Sequence, residues 1–229
     1  VLKLYGSGEI SKYMKRAEEN REDYKVGASA LLEGNSKWSF PLSVTRSRFQ
    51  RSRTAPTPSG LTRKPLSVDR LESKAGIIRT FNRLSLSFEA KYQDVDFQNG
   101  LLENGDSLVV FKDNNRQEYI ATLGARYQLL RGAAQDSVEH NLFGELLYGH
   151  QDYDNLEYVD GAYSGVSSDR DLSGFIAGFE TTYKGLVFAS LGAGFIHQNF
   201  EDETLDSTFD MDFMADVEYL FHPKMSLFF

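Results

Sequence analysis

Residues 209–221 read FDMDFMADVEYLF, and this stretch decides the fold. Every second residue from Phe209 to Phe221 is apolar or aromatic, and the residues between them include the carboxylates Asp210, Asp212, Asp216 and Glu218. Because successive side chains of a β-strand point to opposite faces, the pattern predicts a strand with one apolar face and one ionic face. Carboxylates spaced about 6.5–7 Å apart along a strand cannot lie unpaired in a dry core, so we expect the ionic face to be hydrated.

The same alternation recurs along the chain. It is clear in residues 37–45, 83–93, 118–129, 171–183 and 187–195, and weaker in 24–33, 68–81 and 138–151. Residues 1–5 are expected to form a short, frayed first strand. A soluble sheet could bury such apolar faces, so alternation by itself leaves both a soluble and a membrane sheet open.

The connections between these strands alternate in length. Short turns are predicted at 34–35, 82–83, 131–136, 184–185 and 222–223, and long loops at roughly 6–22, 49–67, 94–117, 152–169 and 199–207. An up-and-down barrel in the outer membrane places its tight turns on one rim and its long loops on the other. A Greek-key sandwich has no reason to sort its loops in this way. We therefore predict an all-β fold, an antiparallel up-and-down transmembrane β-barrel with about 10–12 strands in this chain.

The range 1–229 is predicted to be a single outer-membrane barrel domain. Bacterial single-chain barrels have an even number of strands, and the last strand, from Lys224, is shorter than a membrane-spanning strand. We therefore expect the domain to be truncated at one or both ends. The predicted localisation is the outer membrane of a Gram-negative bacterium.

Composition narrows the class of protein further. The chain has 12 Tyr, 17 Phe and a single Trp, an aromatic load that suits the interfacial girdles of a barrel but also the core of a sandwich. It has no Cys, which excludes disulfides and thiolate metal sites. The formal net charge of -8 argues against a nucleic-acid partner. No apolar run approaches the ~18–20 residues of a membrane helix.

Two classes of side chain are expected on the outside of the barrel. The predicted lipid-facing residues are Trp38, Phe40, Leu84, Leu86, Phe88, Leu123, Phe213 and Val217. The predicted aromatic girdle, placed near the strand ends, consists of Tyr92, Tyr119, Tyr127, Tyr183, Tyr219 and Phe221.

Charged side chains on the alternate face are expected to line a hydrated lumen. They are Glu89, Lys91, Arg126, Glu180, Asp210, Asp212, Asp216 and Glu218. Residues 34–68 contain seven basic residues and no acid, which leaves two interpretations: a basic wall opposite the acidic one across the lumen, or a contact with lipopolysaccharide phosphates outside. We favour the phosphate contact for Arg46 and Arg48, since guanidinium groups match phosphate geometry. A register slip of one residue would exchange the faces.

The glycines Gly174, Gly178, Gly192 and Gly194 fall on the less apolar face of neighbouring strands. Glycine in a strand usually marks a bend or a close approach of another group, and we favour that interpretation. The alternative is a smooth lumenal patch that leaves room for a solute.

No catalytic constellation is apparent. The four histidines are not spaced as metal ligands, and neither a nucleophile elbow nor a phosphate-binding glycine loop is present. The chain is therefore predicted not to be an enzyme and to need no metal and no other cofactor.

The C-terminal third resembles a known family. The carrying motifs, within residues 165–229, are DRDLSG at 169–174, GLVF at 185–188, GAGF at 192–195, FED at 200–202 and VEY followed by HP up to residue 223. They are similar to the putative β-barrel porin 2 family, although that family typically has Gly-Tyr where this chain has Gly194-Phe195, and Trp-x-Pro-Thr near Pro223. The resemblance implies an outer-membrane barrel, often associated with exopolysaccharide loci.

Three functions follow as hypotheses. The preferred one is a passive pore or secretion conduit for polar solutes, with polysaccharide as the cargo that the resemblance implies. The second is a non-conducting structural barrel that anchors a surface appendage or an envelope complex, with protein partners there. The third is a soluble β-sandwich that binds a ligand. Outer-membrane lipid and lipopolysaccharide are the expected partners of either barrel.

Overall fold

The computed structural model describes residues 1–229 except 13, 15–19, 36, 51–66, 99, 102–107, 110–113, 131–137, 155–157, 160–161, 164–165, 185, 223–224 and 229. The strands are β1 (Leu2–Ser11), β2 (Arg21–Asn35), β3 (Trp38–Gln50), β4 (Ser67–Thr80), β5 (Leu84–Phe97), β6 (Gly100–Leu101), β7 (Leu108–Val109), β8 (Arg116–Leu130), β9 (Val138–Tyr153), β10 (Tyr158–Val159), β11 (Ala162–Tyr163), β12 (Arg170–Tyr183), β13 (Val187–Phe200), β14 (Thr208–His222) and β15 (Met225–Phe228). Within these ranges, no helix is long and apolar enough to cross a membrane.

One antiparallel sheet contains eleven of the strands, in the order β1-β2-β3-β4-β5-β8-β9-β12-β13-β14-β15. Each strand pairs with its neighbour in that order, which is up-and-down topology and confirms the predicted fold class. The ribbons β6–β7 and β10–β11 lie in the loops between these strands. Strands β1 and β15 are the edges of the sheet, and no pairing joins them within the described residues. The sheet is therefore open, as in an incomplete barrel.

The predicted alternation of loop length is present, with one correction. Tight turns join β2 to β3, β4 to β5 and β12 to β13, and the connections on the other rim are longer. In the turn after β12, Lys184 has a φ of 53° and the amide of Leu186 donates to the carbonyl of Tyr183 over 2.9 Å. The first strand expected over 1–5 is present but longer, and the loop predicted over 6–22 was wrong at both ends: β1 extends to Ser11 and β2 begins at Arg21, because the two backbones pair along the whole length of β1 without needing apolar side chains.

The two faces of the sheet are distinguished by contacts that reach over an intervening strand. Arg126 of β8 donates to Glu180 of β12 over 2.8 Å, across β9. The Tyr5 hydroxyl of β1 lies 2.6 Å from the Thr45 hydroxyl of β3, across β2. Neighbouring strands are about 4.8 Å apart, so such contacts are favoured where the sheet curves toward the side chains. We call the face of these residues the concave face and the opposite one the convex face.

Candidate functional site

The convex face carries a continuous apolar band. All eight residues predicted to face lipid lie on it: Trp38, Phe40, Leu84, Leu86, Phe88, Leu123, Phe213 and Val217. Leu123 in β8 is 54% exposed and Phe213 in β14 is 71% exposed. Large apolar side chains so widely exposed along a whole sheet face require an apolar environment, which a bilayer supplies.

Tyrosines bound this band at both ends. On β8, Tyr119 and Tyr127 are eight residues apart, about 27 Å along the strand, and only Ala121, Leu123 and Ala125 lie between them on the convex face. A strand tilt of about 40° shortens that span to ~20 Å, close to the ~25 Å apolar band of outer-membrane barrels.

The other predicted girdle residues occupy the same two levels. Tyr92 lies directly opposite Tyr119, with ring centroids 5.2 Å apart, on the side of the long loops. Tyr183 and Tyr219, with Tyr127, lie on the side of the short turns. The side chain of Phe221 lies outside the described residues.

The polarity of the two faces reverses near the long loops. On β5, the convex face changes from Leu86 and Phe88 to Asp94 and Asp96, while the concave face changes from Glu89 to Val95 and Phe97. Val68 on β4 packs with Val95 and Phe97, and these three form the described apolar core, each at most 5% exposed. The strands therefore extend beyond the apolar band on this side, with acidic side chains on the convex face and a small buried apolar cluster on the concave face.

A row of hydrogen bonds and ring contacts crosses the concave face at this level. We call it the mouth belt; it consists of Gln93, Arg116, Glu118, Gln151, Tyr153 and Arg170. Glu118, 5% exposed, accepts from Arg116 over 2.7 Å and from Gln93 over 3.1 Å.

The mouth belt continues onto β9 and β12. Arg170 donates to Gln151 over 2.6 Å and to the Tyr153 hydroxyl over 3.2 Å. Arg116 and Arg170 both lie 5.8 Å from the centroid of the Tyr153 ring. Sequence reasoning missed this belt. The reversal of the apolar pattern at Val95 and Phe97 is the signal that would have marked its level.

The opposite end of the concave face, near the short turns, contains an open cavity of about 520 Å³. Four of the predicted lumenal charges line it: Arg126, Glu180, Asp216 and Glu218. The strand register places Glu180, Ser190 and Asp216 in one row and Thr182, Phe188 and Glu218 in the next. Arg126 pairs with Glu180, whereas Asp216 accepts only a 3.4 Å hydrogen bond from Ser190 among the described residues. The cavity therefore holds an excess of negative charge.

The remaining predicted lumenal charges also lie on the concave face. Glu89 and Lys91 lie on β5, two residues apart, and Asp210 and Asp212 lie on β14 opposite Ile196 and Gly194. The structure thus brings the acids of β14 onto one wall but leaves Glu89 and Lys91 several strands away from them.

Two of the predicted glycines approach an aromatic ring closely. A Cβ added to Gly178 would lie 2.6 Å from the ring of Phe143, and one added to Gly192 would lie 3.2 Å from it. The ring of Phe143 therefore occupies the space that side chains at these positions would fill, and the glycines serve close packing on the concave face.

The basic residues predicted between 34 and 68 lie partly on described strands and partly outside the described residues. Arg46 and Arg48 both lie on the convex face, on the long-loop side. Arg48 donates to both carboxylate oxygens of Asp69, over 2.8 and 2.7 Å. Arg46 makes no ion pair within the described residues. The other basic residues from Arg51 to Lys64 lie outside the described residues.

Acidic residues at the long-loop rim have clear electrostatic surroundings. Partial loss of hydration, together with the negative charges of Asp94, Asp152 and Asp96, raises the pKa of Asp154. Hydrogen bonds from the hydroxyl and amide of Thr204 lower the pKa of Asp202 and order that loop. Within the part of the chain that the structure describes, no group of His, Asp and Glu is arranged to hold a metal ion.

An antiparallel sheet with an apolar convex face, two aromatic levels and a charged concave face defines a transmembrane β-barrel protein. The sequence profile of the family described as putative β-barrel porin 2 matches residues 1–224, and the chain belongs to this family. The match extends well beyond the 165–229 region whose motifs carry the resemblance. A comparison with curated proteins gave no match. Family membership supports a pore-like role in the outer membrane and a non-enzymatic protein.

Proposed function

We propose that this chain forms the wall of an outer-membrane pore through which polar solutes diffuse, with a preference for cations. The cavity at the short-turn end carries the proposal: it is open, and three carboxylates line it against one guanidinium. Fixed charges on the wall of a narrow aqueous path concentrate ions of opposite sign and exclude those of the same sign. The range 1–229 would act as one barrel domain, with water on the concave face.

A finer proposal concerns the solute. The occurrence of the family beside exopolysaccharide loci supports a polysaccharide as the cargo of export. The concave face can hydrogen-bond a hydroxylated chain, since β12–β14 place five carboxylates, three hydroxyls and the amide of Gln198 on it, beside apolar side chains such as Ile176, Phe188 and Ile196. A neutral oligosaccharide added to one side of a conducting bilayer should then interrupt the current.

Planar-bilayer recording in a KCl gradient tests the pore. We expect discrete conductance steps and a reversal potential whose sign shows that K⁺ passes in preference to Cl⁻. The double variant Asp216→Asn, Glu218→Gln should move the reversal potential toward zero. The double variant Asp94→Asn, Asp152→Asn is the matched control, because it removes the same number of carboxylates from the convex face. An unchanged reversal potential in the double variant would refute the role of the acidic wall.

One observation favours a second function, a non-conducting structural barrel that anchors an envelope complex. The mouth belt fills the concave face near the long loops with buried side chains, including Glu118 and Gln151. A barrel filled at this level would give no conductance steps in the same recording. Variants that truncate one side chain of the mouth belt, such as Arg116→Ala or Arg170→Ala, would then conduct a current that the unmodified chain does not.

We also propose a contact with lipopolysaccharide on the long-loop side. Arg46 is exposed on the convex face above the apolar band, and Arg48 lies next to it but is engaged by Asp69. Arg46 is therefore the stronger candidate for a phosphate of the outer leaflet. Arg46→Gln should weaken co-purification of lipopolysaccharide more than Arg48→Gln does.

A further inference from the structure

Arg79 has unusual surroundings at the short-turn end of the convex face. It is the penultimate residue of β4 and lies opposite Trp38 on β3 and Leu86 on β5. Its guanidinium carbon is 4.7 Å from the centroid of the Trp38 ring and 4.7 Å from that of Phe81. Such cation–π contacts hold the guanidinium in place but provide no acceptor oxygen for its N–H donors.

Within the described residues, Arg79 has no carboxylate partner and no hydrogen-bond acceptor. It is exposed, and it points toward the same environment as the apolar band. Arg48 also lies on the convex face, but it is already paired with Asp69. Five N–H donors in a planar fork, fixed by two aromatic rings, are therefore available to an external anion.

The level of Arg79 identifies the anion. On β3, Trp38 beside Arg79 and Arg46 at the other end are eight residues apart, about 27 Å along the strand, with Phe40, Leu42 and Val44 between them on the convex face. The two arginines thus mark the two edges of the apolar band, where lipid headgroups lie. An arginine at this depth costs much less than one at the bilayer midplane.

We propose that Arg79, held by Trp38 and Phe81, binds the phosphate of a glycerophospholipid headgroup at the short-turn rim. The short turns of outer-membrane barrels face the periplasm, so the lipid belongs to the inner leaflet. The planar guanidinium forms two parallel hydrogen bonds to the phosphate oxygens, a geometry that an ammonium group does not reproduce. This inference rests on the membrane placement in the proposed function, but not on an open lumen.

Trp38 is the single tryptophan of the chain and part of the proposed site, so its fluorescence can report lipid binding there. The chain, folded in detergent micelles, is titrated with a short-chain phosphatidylglycerol while Trp38 fluorescence is followed. Arg79→Gln should raise the apparent Kd about tenfold, the effect of losing a charge-assisted pair of hydrogen bonds. Arg83→Gln is the matched control: it removes the same charge from the adjacent turn, where Arg83 makes no cation–π contact with a described ring, and it should change the Kd by no more than about twofold.

A second variant and a second ligand keep the test decisive. Arg79→Lys retains the charge and both rings, and it should still weaken binding, because the bidentate geometry is lost. Equal Kd values for the unmodified chain and Arg79→Gln, or for the unmodified chain and Arg79→Lys, would overturn the proposal. So would inorganic phosphate that shifts Trp38 fluorescence as effectively as the lipid does, because the site would then serve a free anion.

The outcome is independent of the pore. A chain that gives no current in planar bilayers but whose Trp38 still responds to phosphatidylglycerol, with the Arg79 dependence described, supports the lipid site and refutes the conduit. A folded barrel that has not been heated migrates differently on gels from the same chain after heating, and an unfolded variant lacks this difference. If Arg79→Gln proves unfolded, Arg79→Lys is used for the test instead.

Discussion

Leu123→Arg is the perturbation that tests the assignment of the two faces most directly. Leu123 lies on the convex face of β8, four residues from Tyr119 and four from Tyr127, about 13 Å along the strand from each aromatic level. It is thus at the centre of the apolar band. Thr122, its neighbour in the chain, points to the concave face and lies opposite Glu89 on β5. The two positions share depth and differ only in face.

The magnitude follows from this placement. An arginine on the lipid side at the bilayer midplane costs about 2–4 kcal/mol of folding free energy. Thr122→Arg places the same charge in the hydrated interior next to a carboxylate, so we expect a change of no more than ~1 kcal/mol, typical of a surface substitution. Leu123→Ala controls for the loss of the leucine side chain without added charge.

Reversible denaturant unfolding in lipid vesicles, followed by Trp38 fluorescence, measures these differences. The expected order of destabilisation is Leu123→Arg well above Leu123→Ala, with Thr122→Arg smallest. If Thr122→Arg proved the more destabilising arginine, the concave face would be the apolar interior of a soluble protein, and the membrane assignment would be refuted.

Two further predictions use the same unfolding assay. Gly27→Ala should destabilise the chain by about 1–3 kcal/mol, because its Cβ would lie 2.6 Å from the Tyr5 ring, whereas Gly8→Ala, with no atom nearer than 3.7 Å, should change stability by ~0.5 kcal/mol or less; equal effects would contradict the close packing of Tyr5. Asp154→Asn should stabilise the chain at neutral pH, because the raised pKa of Asp154 means that its charged form is disfavoured in the folded state. That gain should disappear as the pH falls through the pKa of the carboxyl, since the aspartic acid is then neutral as well; a gain that persisted in acid would exclude electrostatic repulsion as its cause.

Several features could be predicted from local patterns. The alternation in residues 209–221 placed Phe213 on one face and Asp212 on the other, and the pairing of β14 with β13 agrees with that assignment. The rhythm of short and long connections predicted the up-and-down order of the strands. These inferences succeed because side-chain direction in a strand has a period of two residues, which depends on nothing outside the strand.

Other features depended on partners far away in the chain. The pairing of Arg126 with Glu180 joins residues 54 positions apart, across an intervening strand. The contact of Arg79 with Trp38 depends on the register of β3 against β4. Neither has a signature in the sequence around either residue.

What the sequence by itself determined is therefore the set of two-faced strands, their order and the face on which each charge lies. Only the tertiary structure decided which charges are neutralised, where the mouth belt crosses the concave face and where the cavity lies, and which arginine is held between two aromatic rings. The physical reason is that the direction of a side chain is a local property of an extended backbone. Its partner, by contrast, is set by strand register and by the curvature of the sheet.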